Sequence, residues 1–260
     1  MMFKKDLSKQ YLPDKFISMN GKIHVRQLSK TQAVLYHLYP GAIIVLAFIL
    51  FAPVLMKYHY PPQLGIMASV VFVAIPLFIS HLSRARKKEA AKSFWQLNGY
   101  KNKLGTGKLI LFSLGLVVFM FLTWGITQPL NKFISDKLLS WLPGWFTIQG
   151  FEGYSRQMIL VTLIINLFVN GLLAPVIEEF YFRGYLLPRM ARWGKWSFAL
   201  NAVLFSLYHF WQPYVYLTLI LALTPMIWLV WKTRDLRLAI ITHSLLNIVG
   251  ALLSFGLVLK

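Results

Sequence analysis

Seven stretches of the chain are apolar over lengths that suit membrane helices, and this pattern constrains the fold more than any other feature. A helix needs about 20 mostly apolar residues to cross about 30 Å of hydrocarbon, because each residue advances the axis by about 1.5 Å. At 57% hydrophobic and 13% charged residues, the chain is also more apolar than a soluble domain. We predict an all-α, multi-pass transmembrane helix bundle of about seven spans, with six or eight still open. The predicted spans are Val34 to Met56, Leu64 to Leu82, Leu109 to Gln128, Gln157 to Ile177, Ser197 to Trp211, Tyr214 to Trp231 and Leu238 to Leu259.

The basic residues orient these spans. With this topology, 22 of the 27 Lys and Arg residues fall on the side of the N-terminus. Lys and Arg accumulate in cytoplasmic segments, so we predict a multi-pass protein of the cell membrane with a cytoplasmic N-terminus. Topology thus accounts for the formal net charge of +19, and we expect no nucleic-acid partner but attraction to anionic lipid headgroups. The absence of cysteine excludes disulfides and thiolate metal sites.

The chain divides into segments of one membrane domain. We predict a cytoplasmic basic arm over residues 1–33, three spans over 34–128, an outer interfacial segment over 129–156 and a bundle that carries the polar residues over 157–260. The interfacial segment is expected to form an amphipathic helix, since its apolar residues recur at helical spacing. These residues are Leu130, Phe133, Ile134, Leu138, Trp141, Leu142 and Trp145.

Two adjacent carboxylates lie at the end of an apolar run. Glu178 and Glu179 follow Ile177, whereas the other six acidic residues lie in arms or loops where we expect water to reach them. An ionisable group at membrane depth costs about 2.5 to 3.5 kcal/mol, which makes it a candidate for function. Arg183 is four residues after Glu179 and is expected to pair with it, which leaves Glu178 free to act as a base. The other acidic residues are Asp6, Asp14, Glu89, Asp136, Glu152 and Asp235.

Two histidines lie within later spans, each with a partner one helical turn away. Phe205 precedes His209, and Asn247 follows His243. A single histidine in a membrane helix usually serves interhelical hydrogen bonding, but groups that converge from three helices are how sites form in helical bundles. Other embedded polar residues are interpreted as helix-packing contacts. These are Asn166, Asn170, Asn201 and Thr224.

These residues resemble three signatures of the CAAX protease and bacteriocin-processing family, also called the Abi family, which includes the type II CAAX prenyl endopeptidase. The family's Glu-Glu-x-x-x-Arg motif matches residues 178–183, its Phe-x-x-x-His motif matches 205–209 and its His-x-x-x-Asn motif matches 243–247. Each motif is weak alone, but three complete motifs in order are specific. The similarity covers roughly Gln157 to Lys260.

The resemblance implies intramembrane endopeptidase activity near the cytoplasmic face, in a conical cavity of the bundle. Glu178 would activate water with help from His209, while His243 and Asn247 would stabilise the oxyanion. Glu179, Arg183 and Phe205 would support the site. A metal-free mechanism is favoured, because the sequence has no His-Glu-x-x-His spacing. Zinc is the alternative, with Glu178, His209 and His243 as ligands.

Other functions fit the same residues. A catalytically silent scaffold or a bacteriocin-immunity protein would use the bundle for binding only. A proton-coupled transporter could use the polar residues as a relay, although the chain has no internal repeat. For the enzyme, the expected partner is a membrane-associated peptide or protein, and a prenylated CAAX protein and a bacteriocin-type or signalling peptide fit equally.

Overall fold

The computed structural model describes residues 16–18, 24–146, 150–151 and 153–258. Most of the predicted basic arm, with Asp6 and Asp14, lies outside these residues, as do Glu152 and Leu259. Short 3-10 segments link several helices, at Gly144–Phe146, Leu187–Trp196 and Pro213–Val215. The main elements are antiparallel strands β1 (Phe16–Ser18) and β2 (His24–Arg26), followed by α1 (Lys30–Lys57), α2 (Pro62–Lys88), α3 (Phe94–Leu97), α4 (Thr106–Leu138), α5 (residues 156–186), α6 (Ser197–Tyr208), α7 (Tyr216–Thr233) and α8 (Leu236–Val258).

The all-α membrane architecture is confirmed, with six continuous helical stretches in the described residues long and apolar enough to cross a membrane. One of them, Arg156–Tyr208, has 53 residues, about 80 Å of helix and far more than one crossing requires. The backbone leaves helical geometry inside it, at Met190 and at Gly194, where φ is 54°. This break separates α5 from α6, so the predicted fourth and fifth spans correspond to the two parts of this stretch. With 12 residues, about 18 Å, α6 is too short to cross alone.

The separate outer helix predicted between Pro129 and Arg156 is not formed in the residues that the structure describes there. Helix α4 instead continues through Pro129 and ends with a π-helical turn, Ile134–Leu138. Asn131, inside the extension, is buried and accepts a hydrogen bond at Oδ1 from Thr218 on α7 (2.7 Å). This interhelical contact holds the extension against the bundle, which periodicity alone did not reveal.

Close helix packing brings α1 against α6. A Cβ atom on Gly41 would collide with the backbone carbonyl of Tyr208, so α1 can approach only because this position lacks a side chain. Asn201 on α6 donates from Nδ2 to Nε2 of the buried His37 (2.9 Å) and to the carbonyl of Phe182 (3.2 Å). These contacts link α1, α5 and α6 around the end of α6.

The outward faces of the helices suit a lipid environment. Large apolar side chains stand exposed along several spans, and Ile126 on α4 is 80% exposed. In water such a surface would favour aggregation, whereas hydrocarbon solvates it at no cost. Other examples are Leu46, Leu50, Phe72, Leu111 and Leu122.

Asp235 is an exception to the expectation that loop carboxylates meet water, because it is 1% exposed. It lies between α7 and α8, where it accepts hydrogen bonds from the Arg237 guanidinium (2.7 and 3.0 Å) and from the backbone amide of Leu104 (2.7 Å). Burial alone would raise the pKa of the Asp235 carboxyl, but these bonds and one from the Arg237 amide outweigh it and lower the pKa. The carboxylate thus joins the start of α4 to the start of α8.

Asp235→Asn is expected to lower the free energy of unfolding by about 2 kcal/mol, because it removes charge-assisted hydrogen bonds from a buried site. Since the folded-state pKa lies below the unfolded one, the carboxylate stabilises the protein above about pH 4 and loses this effect as the pH falls further. The variant should therefore lose less stability than wild type on acidification. Thermal unfolding in detergent between pH 3 and 7 measures both effects.

The matched control is Asp136→Asn, which removes an exposed carboxylate paired with Lys132 and should cost at most about 1 kcal/mol. Equal acid sensitivity of Asp235→Asn and wild type would contradict the role assigned to Asp235.

Candidate active site

The helix that carries the adjacent glutamates has a wide turn on each side of them. Helix α5 is π-helical over Val169–Leu173 and Phe180–Leu186, with a regular α-helical segment, Ala174–Glu179, between. Pro175 contributes to the first wide turn, since it has no amide hydrogen to bond the carbonyl four residues earlier. Such turns often occur at functional sites because they redirect side chains.

Glu179 is the centre of a buried charge cluster. Its Oε1 lies 3.0 Å from Nη1 of Arg183, as the four-residue spacing predicts, and 2.8 Å from Nδ1 of His243 on α8. Glu179 and Arg183 are fully buried. The guanidinium stacks on the face of Phe205, with its central carbon 3.8 Å from the ring centroid. Because a carboxylate only accepts hydrogen bonds, Nδ1 of His243 carries the proton and Nε2 is left for other partners.

Glu178 points away from this cluster and meets a different partner. The hydroxyl of Tyr208, the last residue of α6, donates to Oε1 of Glu178 over 3.2 Å. Tyr208 is fully buried and Glu178 is 7% exposed. The two neighbouring carboxylates thus have different surroundings, one paired with a cation and one held by a neutral hydroxyl.

His209 follows Tyr208 at the end of α6. Its Nδ1 lies 2.9 Å from the carbonyl oxygen of Phe205, and a carbonyl can only accept, so Nδ1 donates. The imidazole therefore presents Nε2 as an acceptor. The rings of Phe205, Tyr208 and Trp211 pack around it at centroid distances of 4.8 to 5.0 Å and fix its orientation.

Asn247 on α8 is held by the first wide turn of α5. Its Nδ2 donates to the backbone carbonyl of Asn170 (2.7 Å) and lies 3.5 Å from the Asn170 side-chain oxygen. The amide group has two hydrogens, so one remains available for another acceptor.

Phe205 connects the parts of the site. Besides stacking on Arg183, its ring lies 4.8 Å from that of His209 and 6.4 Å from that of His243, edge to face in both cases. The structure thus brings residues of all three sequence motifs together around one aromatic ring, with α5, α6 and α8 each contributing.

The zinc alternative requires Glu178, His209 and His243 to lie together as ligands. Within the described ranges, no three His, Asp or Glu side chains lie together as metal ligands would. Glu178, His209 and His243 therefore do not form a ligand cluster. Each histidine uses its Nδ1 for a protein partner, an arrangement that is also usual for histidines that bind zinc through Nε2.

Access differs among the candidate residues. Glu178 and His243 are 7% and 9% exposed and Glu179 and Arg183 are inaccessible, whereas His209 and Asn247 are half-buried. The conical cavity that the resemblance implies stays a prediction.

Sequence reasoning missed two residues of the site. The second motif assigns no role to Tyr208, and the sequence predicts a packing contact for Asn170. The structure places the Tyr208 hydroxyl on Glu178 and the Asn170 carbonyl on Asn247. The Asn170 carbonyl belongs to the backbone, so it leaves no signal in the sequence. Tyr208 directly precedes the motif histidine, and this position was a signal that it could belong to the site.

The fold and the site define a class: a multi-pass helical membrane protein with a buried carboxylate and histidine site built by three helices. Residues 160–249, which include all three motifs, match the family model described as type II CAAX prenyl endopeptidase Rce1-like. This match supports the resemblance to the CAAX protease family seen in the motifs, a family of peptide hydrolases, over residues 160–249 of the chain. No curated protein and no solved structure matches the chain.

Proposed function

We propose that the protein is an intramembrane endopeptidase that cleaves a membrane-associated peptide or protein by glutamate-activated attack of water. The observation that carries the proposal is the pair of unlike carboxylates, with Glu178 held by Tyr208 while Glu179 is bound by Arg183 and His243. A scaffold has no evident need for two adjacent carboxylates inside the bundle, because ionisable groups at membrane depth are costly. The family match supports peptide hydrolysis.

The first chemical step forms a bond between water oxygen and the scissile carbonyl carbon. Glu178 accepts the proton that the water loses, and Nε2 of His209 orients the water as a hydrogen-bond acceptor. The carbonyl π electrons move to oxygen and give a tetrahedral oxyanion. On collapse, the carbon–nitrogen bond breaks and the proton on Glu178 passes to the leaving amine.

The oxyanion requires hydrogen-bond donors, and two groups supply them. Asn247 has one amide hydrogen left beside the one on Asn170. His243 can donate from Nε2 only as an imidazolium, since its Nδ1 proton is already on Glu179. As an imidazolium, His243 would donate from both ring nitrogens, to Glu179 from Nδ1 and to the oxyanion from Nε2.

We further propose that the protein lies in the cell membrane with a cytoplasmic N-terminus and that its substrate enters from the cytoplasmic side. The distribution of Lys and Arg supports these parts of the proposal. We favour a metal-free reaction because the protein's own groups account for each proton and because the three candidate ligands do not converge. A prenylated CAAX protein and a leader-type peptide both fit as substrates.

Mass-spectrometric mapping of peptide termini tests the proposal in cells that express wild type or Glu178→Gln at equal levels of folded protein. We expect termini that vanish in the variant while uncut precursors accumulate. Unchanged termini together with an intact biological phenotype would refute the protease and favour the scaffold or immunity function.

Tyr208→Phe should lower kcat about 10-fold with little change in KM, because Glu178 loses the hydroxyl that fixes its orientation. The matched control is Tyr214→Phe, which removes a buried hydroxyl that has no hydrogen-bond partner within the described part of the chain. Initial rates on a reconstituted substrate give both constants. Equal kcat values for the two variants would contradict the positioning role.

A further inference from the structure

A cavity of about 390 Å³ lies between α1, α2 and the end of α5, and no motif residue lines it. Helix α2 lines it with Leu77, His81, Arg84 and Lys88. Spacings of four, three and four residues place these side chains on one helical face. The cavity thus follows one face of α2 for about 16 Å.

The chemistry of the cavity changes along this face. Leu77 is at one end, Arg84 and Lys88 are at the other, and His81 lies between. Beside His81, the Tyr39 hydroxyl is 2.7 Å and the Tyr181 hydroxyl 3.2 Å from Nδ1. The order is apolar, then neutral polar, then cationic. An acyl chain, a glycerol ester and a phosphate succeed each other in the same order in a phospholipid.

The two cations are available to a ligand. Arg84 and Lys88 are exposed, and neither forms an ion pair with any residue that the structure describes. The nearest carboxylate in sequence, Glu89, is bound by Arg189, with Oε2 2.6 Å from Nη2. The cationic end therefore keeps a charge of about +2, on the side of the membrane where topology predicts anionic lipids.

We propose that this cavity binds one anionic phospholipid, with its phosphate between Arg84 and Lys88 and an acyl chain toward Leu77. The cavity volume holds a headgroup and the first part of a chain, and the exposed apolar faces of α1 and α2 accommodate the remainder. This site is independent of the proposed protease function. Its ligand also orders α2 against α1, so binding should raise the thermal stability of the whole protein.

Thermal unfolding of the full chain in detergent tests the site. Phosphatidylglycerol is compared with phosphatidylcholine of the same acyl chains and with inorganic phosphate. We expect phosphatidylglycerol at about 100 times its Kd to raise the Tm by about 5 °C or more, with little effect of the other two. A shift of equal size with inorganic phosphate would overturn the lipid and indicate a soluble phosphate ligand.

Two double variants separate this site from general attraction between a basic loop and anionic lipid. Arg84→Ala/Lys88→Ala should abolish the shift, while Lys87→Ala/Lys92→Ala, which removes the same charge from outside the cavity, should retain it. An equal loss of the Tm shift in both double variants would overturn the proposal. Melting in phosphatidylcholine alone establishes that each variant is folded.

Leu77→Trp tests the apolar end of the same site, because it fills the cavity and leaves both cations in place. We expect the response to phosphatidylglycerol to fall at least several-fold. An undiminished response would mean that charge alone accounts for binding, and the lipid cavity would be excluded.

Discussion

Glu178→Gln is expected to reduce peptide hydrolysis by about 10²- to 10⁴-fold, the range that removal of a general base produces. Glutamine has the shape of glutamate, and its amide oxygen can still accept the hydrogen bond of Tyr208, so the packing around Glu178 is retained. What is lost is the group that takes the proton from water. Rates of cleavage of a reconstituted peptide substrate in proteoliposomes measure the effect.

The control for Glu178→Gln is Asp136→Asn, the same change from acid to amide at an exposed carboxylate on α4. It should leave cleavage within about twofold of wild type. Thermal unfolding of the same preparations establishes that Glu178→Gln is folded. Cleavage by Glu178→Gln at more than about a tenth of the wild-type rate would exclude Glu178 as the base.

The fold was largely predictable because hydrophobic length is a strong signal in a membrane. Apolar stretches predicted the helices of the bundle, and their approximate bounds agree with α1, α2, α7 and α8, whereas α4 extends ten residues beyond the predicted end at Gln128. The failures have one physical cause. The break at Gly194 and the continuation of α4 through Pro129 depend on tertiary contacts, and a hydropathy pattern does not contain these contacts.

The candidate site was predictable only where side chains act on neighbours in the same helix. The spacing of Glu179 and Arg183 predicted their contact, which the structure shows at 3.0 Å. The contact of His243 with Glu179 joins residues 64 positions apart, and no spacing rule addresses it. Whether Nε2 of each histidine can accept a hydrogen bond depends on whether Nδ1 carries the proton. This proton can be assigned only when the hydrogen-bond partner of Nδ1 is known.

These contacts suggest why the family motif contains two adjacent glutamates. A single carboxylate cannot both receive a proton from water and stabilise an imidazolium, because protonation would remove the charge that holds the histidine. The site divides the tasks: Glu178 meets a neutral hydroxyl, and Glu179 meets the Arg183 guanidinium and the His243 imidazole. Residues next to each other in a helix point about 100° apart, so adjacent positions achieve this separation without a further helix.

Arg183→Met is expected to lower the free energy of unfolding by about 3 to 5 kcal/mol, because it leaves Glu179 without its cation inside the bundle. The double variant Glu179→Gln/Arg183→Met removes both charges and should recover most of this loss. It should nevertheless remain inactive, since no carboxylate then holds the imidazolium of His243. Thermal unfolding and cleavage rates of the same preparations separate the two effects.

Arg192→Met provides the control, since it exchanges an exposed arginine in the 3-10 segment that follows α5 and should change stability by less than about 0.5 kcal/mol. We expect wild type and the double variant to have similar free energies of unfolding, and Arg183→Met to have a much lower one. If Arg183→Met melts with wild type, the guanidinium does not balance Glu179. If the double variant cleaves substrate at the wild-type rate, the carboxylate of Glu179 has no part in catalysis, and the two-glutamate division of tasks is wrong.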